Sequence, residues 1–322
     1  MRIGVILLSW NSAAETVRCI DSVKRGTLLP EWITVWDNGS TDDCVGTIRS
    51  RHDDVVVFRS SHNLGFPAPN NALAKWLIDQ GADAIWLLNN DTVVDSQCLQ
   101  NLVEGLHRHP AAVAATGKIF FRKHPRRIWY AGGRIRRFTF EAEHLGAGQL
   151  DTGRFDQERF VEFVSGCCAL LRSEVVVRHR LFRPGFFVYT EDLDWSLRMK
   201  RVGKKLLYVP AALLLHDVSV SMFRNRPDPG RLSAYQHYHS ARNQLFVIRE
   251  HASSRIQAAI GAILWWGKRL PFALANAALR RGAKTRAIVR GLIHGLVQPI
   301  PELPSIEDCD ISKMTVEVRR LA

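Results

Sequence analysis

Long apolar runs are missing from this chain of 322 residues. No stretch of about 18 uncharged apolar residues occurs, which argues against a membrane-spanning helix. The opening run turns polar at Ser9 and lacks a small-residue cleavage site, so it reads as a first strand rather than a signal peptide. Six cysteines (Cys19, Cys44, Cys98, Cys167, Cys168, Cys309) form no CxxC pair and no metal-ligand spacing, as expected in a reducing compartment. GxGxxG and P-loop patterns are absent, which excludes the ordinary dinucleotide and NTPase phosphate cradles. Acids are scarcest in residues 222–300, where 13 Lys or Arg face two acids, in a chain of formal net charge +13. Such a block implies an anionic partner. No helix-turn-helix, zinc spacing or aromatic RNA-binding motif accompanies it, so nucleic acid is not the expected one.

What the chain does have is 46% hydrophobic residues, enough for a real core, and a repeated junction between apolar runs and polar turns. Residues 3–8 lead into Ser9-Trp10-Asn11-Ser12, and 33–36 into Asp37-Asn38-Gly39-Ser40. Residues 55–58 precede Asn63-Leu64-Gly65-Phe66 and Asn70, and 85–88 precede Asn89-Asn90-Asp91. Short apolar runs bounded by turn formers read as buried strands. Helices are predicted over 13–23 and about 70–80; Val17, Ile20 and Val23 give the first its apolar spacing, and Asn11 or Ser12 can cap it. Strand, helix, strand implies right-handed crossovers and parallel strands. Ligands bind beyond the carboxyl ends of such strands. The prediction is an α/β fold with Asp37, Asn63, Asn70 and Asp91 along one crevice. Each also has a plainer reading, since Asp-Asn-Gly-Ser is good turn chemistry and Asn or Asp caps helices.

Further segments follow in order: Val164-Ser165-Gly166-Cys167-Cys168-Ala169, then Phe186-Phe187-Val188-Tyr189-Thr190-Glu191-Asp192-Leu193-Asp194-Trp195, then Tyr208-Val209-Pro210 and His216. Taken together over about residues 3–245, the series resembles the family 2 inverting glycosyltransferases of the GT-A fold, above all their rhamnosyltransferase-like branch in bacterial polysaccharide pathways. The resemblance implies a mainly parallel central sheet flanked by helices. Residues 1–95 would form the nucleotide-binding half and 96–222 the acceptor-binding half of one catalytic domain, with 223–322 a helical, basic extension. It implies transfer of a sugar, best matched by rhamnose from dTDP-rhamnose, to a hydroxyl of a lipid-linked or growing glycan. Another nucleotide sugar such as a UDP-hexose is the alternative donor.

By the same resemblance, Ser9, Trp10, Asn11, Asp37, Asn38, Asn63, Gly65, Asn70, Asn89, Asn90 and Arg242 would bind the donor. Asp37 would accept the imino N–H of a pyrimidine, and Arg242 suits bidentate phosphate contact. Asn89-Asn90-Asp91 stands where the family carries DxD. Asn replaces the first Asp, leaving Asp91 as the one strong anionic ligand for Mg²⁺ or Mn²⁺. His216 would complete the metal site, and imidazole suits Mn²⁺ better. Asp192 would be the base on the acceptor hydroxyl, with Glu191 the fallback and Asp194 a helix support. First-turn helix electrostatics is the alternative for this acidic cluster. The run 186–189 reads as a buried strand delivering Asp192 to the crevice wall. Gly166 would let a sugar approach the backbone, Trp195 either carries the acceptor sugar or packs in the core, and Cys167-Cys168 reads as packing.

From 255 to 297 apolar and basic blocks alternate, and Pro271 should break or kink the helix there. Helices with Trp and Leu on one side and Lys or Arg on the other lie in membrane interfaces. Lys268, Arg269, Arg280 and Arg281 are the expected contacts with an anionic surface; packing onto the catalytic domain is the alternative. The expected location is cytoplasmic, peripheral at the inner face of the cell membrane. Residues 302–310 read as surface coil.

Overall fold

The computed structural model describes residues 1–217, 233–314 and 317–319. The four apolar runs become β1 (Ile3–Ser9), β2 (Trp32–Asp37), β3 (Val56–Arg59) and β4 (Ala84–Leu88). They lie side by side in the order β3-β2-β1-β4, all parallel. Every residue of β4 is buried, as expected of a parallel strand covered on both faces. α1 (Ala13–Lys24) and α2 (Cys44–Arg49) cover one face, and α3 (Pro67–Asp79) covers the other. Val17, Ile20 and Val23 point inward from α1 as the spacing predicts. Ser12 holds the N-cap position of α1 without a cap bond. The Asp42 carboxylate instead accepts from the Ala13 N–H (3.1 Å). α3 starts three residues early because Pro67 is suited to a first turn.

Past β4 come β5 (Thr92–Val94), α4 (Cys98–Arg108), β6 (Ala112–Phe121), β7 (His124–Tyr130), β8 (Gly133–Ile135), β9 (Ala142–His144), β10 (Arg159–Val161), β11 (Cys168–Arg172), α5 (Ser173–His179), α6 (Glu191–Arg201) and β12 (Lys205–His216). β11 runs antiparallel to β4 and β6, and β12 runs parallel to β6 but antiparallel to β5 and β10. The parallel centre thus continues into a mixed half, while β8 and β9 form a separate hairpin. All six cysteines are buried and free.

α7 (Ala234–His251), α8 (Arg255–Ala278) and α9 (Gly282–Val297) form the helical C-terminal region. α8 continues through Pro271 instead of breaking. Pro271 and Gly267, whose carbonyl loses its partner, are both exposed, so water can replace the missing bond. Two of the four expected membrane cations are engaged within the protein. Lys268 pairs with Glu141, and Arg269 is turned inward over the Trp265 ring (4.3 Å), donating to Ser240. Trp265 is buried too, its indole N–H donating to the Ala241 carbonyl (3.1 Å). Nor are residues 302–310 free coil: Arg180 donates to the Leu303 carbonyl, Ile306 packs against the α3 side of the core, and Cys309 is buried. Beyond them β13 (Glu317–Arg319) adds to β3, so the C-terminus returns to the first half of the sheet. The expected 222/223 boundary and Arg224, Arg226 and Arg231 of the basic block lie outside the described residues.

Candidate active site

A cleft of about 760 Å³ opens where the parallel strands end. Ser9, Trp10 and Ser12 after β1 form its floor, with Asn38 after β2, Asn63 and Gly65 after β3, and Asn90 after β4. Phe187, Val188 and Tyr189 close it from the other side, joined by Tyr235 and Gln236 on the first turn of α7. Trp10 is 58% exposed, which leaves its ring free to stack on a planar ligand.

The asparagines shape this floor by bonding to one another's loops. Asn38 donates to the Gly65 carbonyl (2.8 Å) and to Asn63 Oδ1 (3.1 Å), and accepts from the Leu64 N–H (2.8 Å). Asn11 accepts from Thr41 N–H (2.7 Å), and Asn90 donates to Ser12 (2.7 Å) and Thr16 (2.8 Å). Gly65 has φ +80°, and a Cβ there would meet the Phe187 carbonyl oxygen at 2.3 Å, so only glycine lets the opposite wall approach.

Two expected lining residues are instead behind the wall. Asp37 is wholly buried; it accepts from the Ser40 N–H (3.0 Å) and is ion-paired with Arg59 Nε (3.2 Å), its register partner on β3. Its Oδ2 has that ion pair but no hydrogen bond. Asn70 is buried because α3 starts at Pro67, which puts it inside the first turn, donating to the Phe66 carbonyl (2.8 Å).

His216 and Asp91 do come together. β12 pairs with β5 so that His216 stands opposite Thr92, which brings the ring past the end of β4 to Asp91, 125 residues away along the chain. His216 Nε2 lies 3.0 Å from Asp91 Oδ1 and 3.5 Å from Asn89 Nδ2. The edge-on Trp129 ring, 4.7 Å away, packs the imidazole in place. Burial acts to raise the Asp91 carboxyl, but His216, together with a backbone N–H and the Arg18 charge, leaves the group below its usual value. Asp91 Oδ1 is buried without a hydrogen-bond partner. Two such donors 3.0 Å apart fit adjacent ligands on an octahedral ion with bonds of about 2.1 Å. No cluster of three or more His, Cys, Asp or Glu suited to a metal occurs among the described residues.

Residues 186–189 are not a strand. Pro184–Phe186 form a 3-10 turn, and Phe187, Tyr189 and Thr190 take φ of 65°, 70° and 68°. The Pro184-Gly185 pair before the apolar run was the available signal for a turn. Arg242, expected on the diphosphate, donates to the Gly185 and Phe186 carbonyls (2.7 and 3.2 Å) and so holds this turn.

The contorted segment ends at α6, whose first residues are Glu191 and Asp192. Asp192 accepts from the Gly166 N–H (3.0 Å) and from its own neighbour Leu193 (2.8 Å). Burial raises both carboxyls. Glu191 goes well above its ordinary range because the Asp192 charge adds to burial, while backbone N–H donors oppose the rise at Asp192. Asp192 is therefore the member that ionises first. Asp194 is a support: it is 1% exposed and held by His251 (2.9 Å), Arg198 (3.0 Å) and Arg183 (3.3 Å). Trp195 is 2% exposed and packs in the core, which removes it as a sugar platform.

The fold is that of the GT-A nucleotide-sugar transferases. GalNAc-T7, solved with UDP, GalNAc and Mn²⁺, aligns with a TM-score of 0.57 at 16% identity over 77% of this chain and 48% of its own. A mannosyltransferase of Pyrobaculum calidifontis, solved with GDP-Man and Mn²⁺, aligns at 0.56 with 14% identity over 92% of this chain and 87% of its own. The chain belongs to glycosyl transferase family 2, whose model matches residues 4–179. Curated relatives include the N-acetylglucosaminyl-diphospho-decaprenol L-rhamnosyltransferase of Mycobacterium tuberculosis, 24% identical over 89% of this chain and 94% of that protein. The O-antigen chain rhamnosyltransferase RfbN of Salmonella typhimurium is 26% identical over 67% of each.

Proposed function

We propose that the protein is an inverting rhamnosyltransferase that takes rhamnose from dTDP-rhamnose and places it on a hydroxyl of a lipid-linked bacterial glycan at the cytoplasmic face of an anionic membrane. The observation that carries the reading is the Asp91–His216 pair at the end of β4, beside the cleft. The relatives' names support rhamnose as the sugar, and that of the mycobacterial protein supports a lipid-linked acceptor.

In this reading Asp91 and His216 hold Mg²⁺ or Mn²⁺, with Asn89 beside them. When bound, the ion offsets charge on the departing nucleoside diphosphate. Trp10 stacks on the base. Gly166, itself buried, positions Asp192 through its N–H. Asp192 takes the proton from the acceptor hydroxyl, whose oxygen attacks the anomeric carbon from the face opposite the diphosphate. The bond from that carbon to the diphosphate breaks, and the configuration inverts.

The test is calorimetric binding of dTDP-rhamnose and UDP-hexoses, with and without Mn²⁺, alongside transfer to a polyprenyl-diphosphate-linked sugar. Metal-dependent binding of dTDP-rhamnose with product formation supports the reading. Selective turnover of a UDP-hexose replaces the donor, and turnover unaffected by chelation removes the metal.

A further inference from the structure

A stripe of large apolar side chains runs along α8 in contact with solvent. Ile256 is 74% exposed, Ile263 70% and Leu274 63%, with Ile260, Leu264 and Leu270 exposed between them. Their spacing puts them on one helical face. The other face, with Gly261, Trp265, Ala273 and Asn276, is buried. Exposed apolar residues scattered singly are ordinary, whereas a contiguous stripe marks an interaction surface.

We propose that α8 is an in-plane membrane anchor whose apolar stripe inserts among the headgroups and upper acyl chains of an anionic bilayer. No helix among the described residues is long and apolar enough to cross a membrane, so α8 lies along the surface. Arg255, Arg280, Arg286 and Arg290 are exposed on or beside α8 and α9, and residues 255–297 contain no acid, which complements anionic headgroups. The same charge opposes a second copy of the chain, because a two-fold pair would set this cationic surface against itself. Anchoring also has a consequence for the cleft. α7 packs against α8 and α9 and carries Tyr235 and Gln236 into the cleft wall, so a fixed α8 holds the cleft at a set height above the lipid. The role in catalysis rests on the proposed lipid-linked acceptor; the surface itself rests on the exposed stripe.

The experiment compares the full chain with I263D/L274D and with L29D, an exposed-residue control on the catalytic domain. Both substituted α8 positions face solvent, so the fold should be kept, as a melting curve verifies. Each protein is sedimented with vesicles of equimolar phosphatidylcholine and phosphatidylglycerol. Wild type and L29D should pellet. I263D/L274D should partition on the order of 100-fold less, about tenfold for each lost apolar side chain, yet transfer normally to a water-soluble short-chain acceptor. Equal pelleting of all three proteins, or no pelleting of wild type, overturns the anchor. So does a wild-type dimer in light scattering that I263D/L274D abolishes, which would give the stripe to a second copy. Wild type that pellets but transfers to no acceptor overturns the proposed function and leaves the anchor standing.

Discussion

The side-chain amide of Asn243 donates to the carbonyl oxygen of Val188 at 2.8 Å. The same nitrogen lies 2.9 Å from the carbonyls of Phe186 and Tyr189. A single buried side chain on α7 thereby gathers three carbonyls of a segment that has three non-glycine residues at positive φ. Each such residue costs about 1–3 kcal/mol. Donors from α7 join the Phe66 N–H, which bonds the Phe187 carbonyl at 2.6 Å, in holding this shape, and the shape sets the cleft wall and the start of α6.

Asn243→Ala should therefore raise donor KM and lower kcat together, with kcat/KM falling on the order of 10–100-fold, as for misplacement of about an ångström near a reacting centre. Asn243→Asp is the sharper test of positioning. It matches asparagine in shape but turns acceptor lone pairs onto three carbonyls, so it should be worse than alanine. Steady-state kinetics on both variants decides the matter; an aspartate variant as active as wild type would mean the loop is held elsewhere.

The parallel centre of the fold was legible because β1 to β4 are apolar runs ended by turn residues, and Asp91 and His216 were legible through motif order. Three features were not. The run 186–189 is as apolar as a strand, and its left-handed turns depend on donors from Arg242 and Asn243 far along the chain. Asp37 was read without Arg59, which becomes its partner only through the β2–β3 register. Trp195 was ambiguous because one turn of α6 presents Asp192 and Asp194 to polar partners and Trp195 to the core.

Removing either member of the Asp91–His216 pair tests the metal reading. Asp91→Asn should lower transfer on the order of 10²–10³-fold while the protein stays folded, the usual loss for one preorganised electrostatic contact. His216→Ala should act in the same direction and weaken the response to added Mn²⁺. Calorimetry of donor binding with and without metal checks both; near-normal turnover of Asp91→Asn at saturating donor would show that the carboxylate is not an essential ligand.

Asp194 predicts a stability effect with a defined pH window. Burial works to raise this carboxyl, but His251, Arg198 and Arg183 overcome it and hold it at about 2, against an ordinary 3.8. A depressed carboxyl contributes stability that is present above its unfolded value and lost as pH falls through the folded one. About 2 kcal/mol should thus disappear between roughly pH 4 and pH 2. Asp194→Asn should cost more, about 3–5 kcal/mol at pH 7, because Arg198 loses its carboxylate partner and is left with an uncompensated buried charge, while Arg183 keeps Glu250. Denaturant midpoints across that pH range, for wild type and variant, give both quantities.

The carboxylates Glu191 and Asp192 differ in how they should respond to neutralisation. Both are raised by burial, but Glu191 is raised further and its Oε2 has no hydrogen-bond partner, while the N–H groups of Gly166 and Leu193 favour the charged form of Asp192. When the pair carries a single charge, that charge sits on Asp192 and the proton on Glu191. Glu191→Gln copies that protonated form, so it should keep near-normal rates and an unchanged acid limb. Asp192→Asn keeps the size but cannot accept a proton, so transfer should fall on the order of 10²–10⁴-fold with donor affinity nearly intact. In wild type, kcat/KM should drop as pH falls through the raised value of Asp192, so the acid limb sits above the ordinary 3.8 of an aspartate. The measurements are pH–rate profiles for the three proteins and donor affinity by calorimetry. If Glu191→Gln loses transfer and Asp192→Asn does not, the base is Glu191. If both variants work normally, proton removal from the acceptor lies outside this pair.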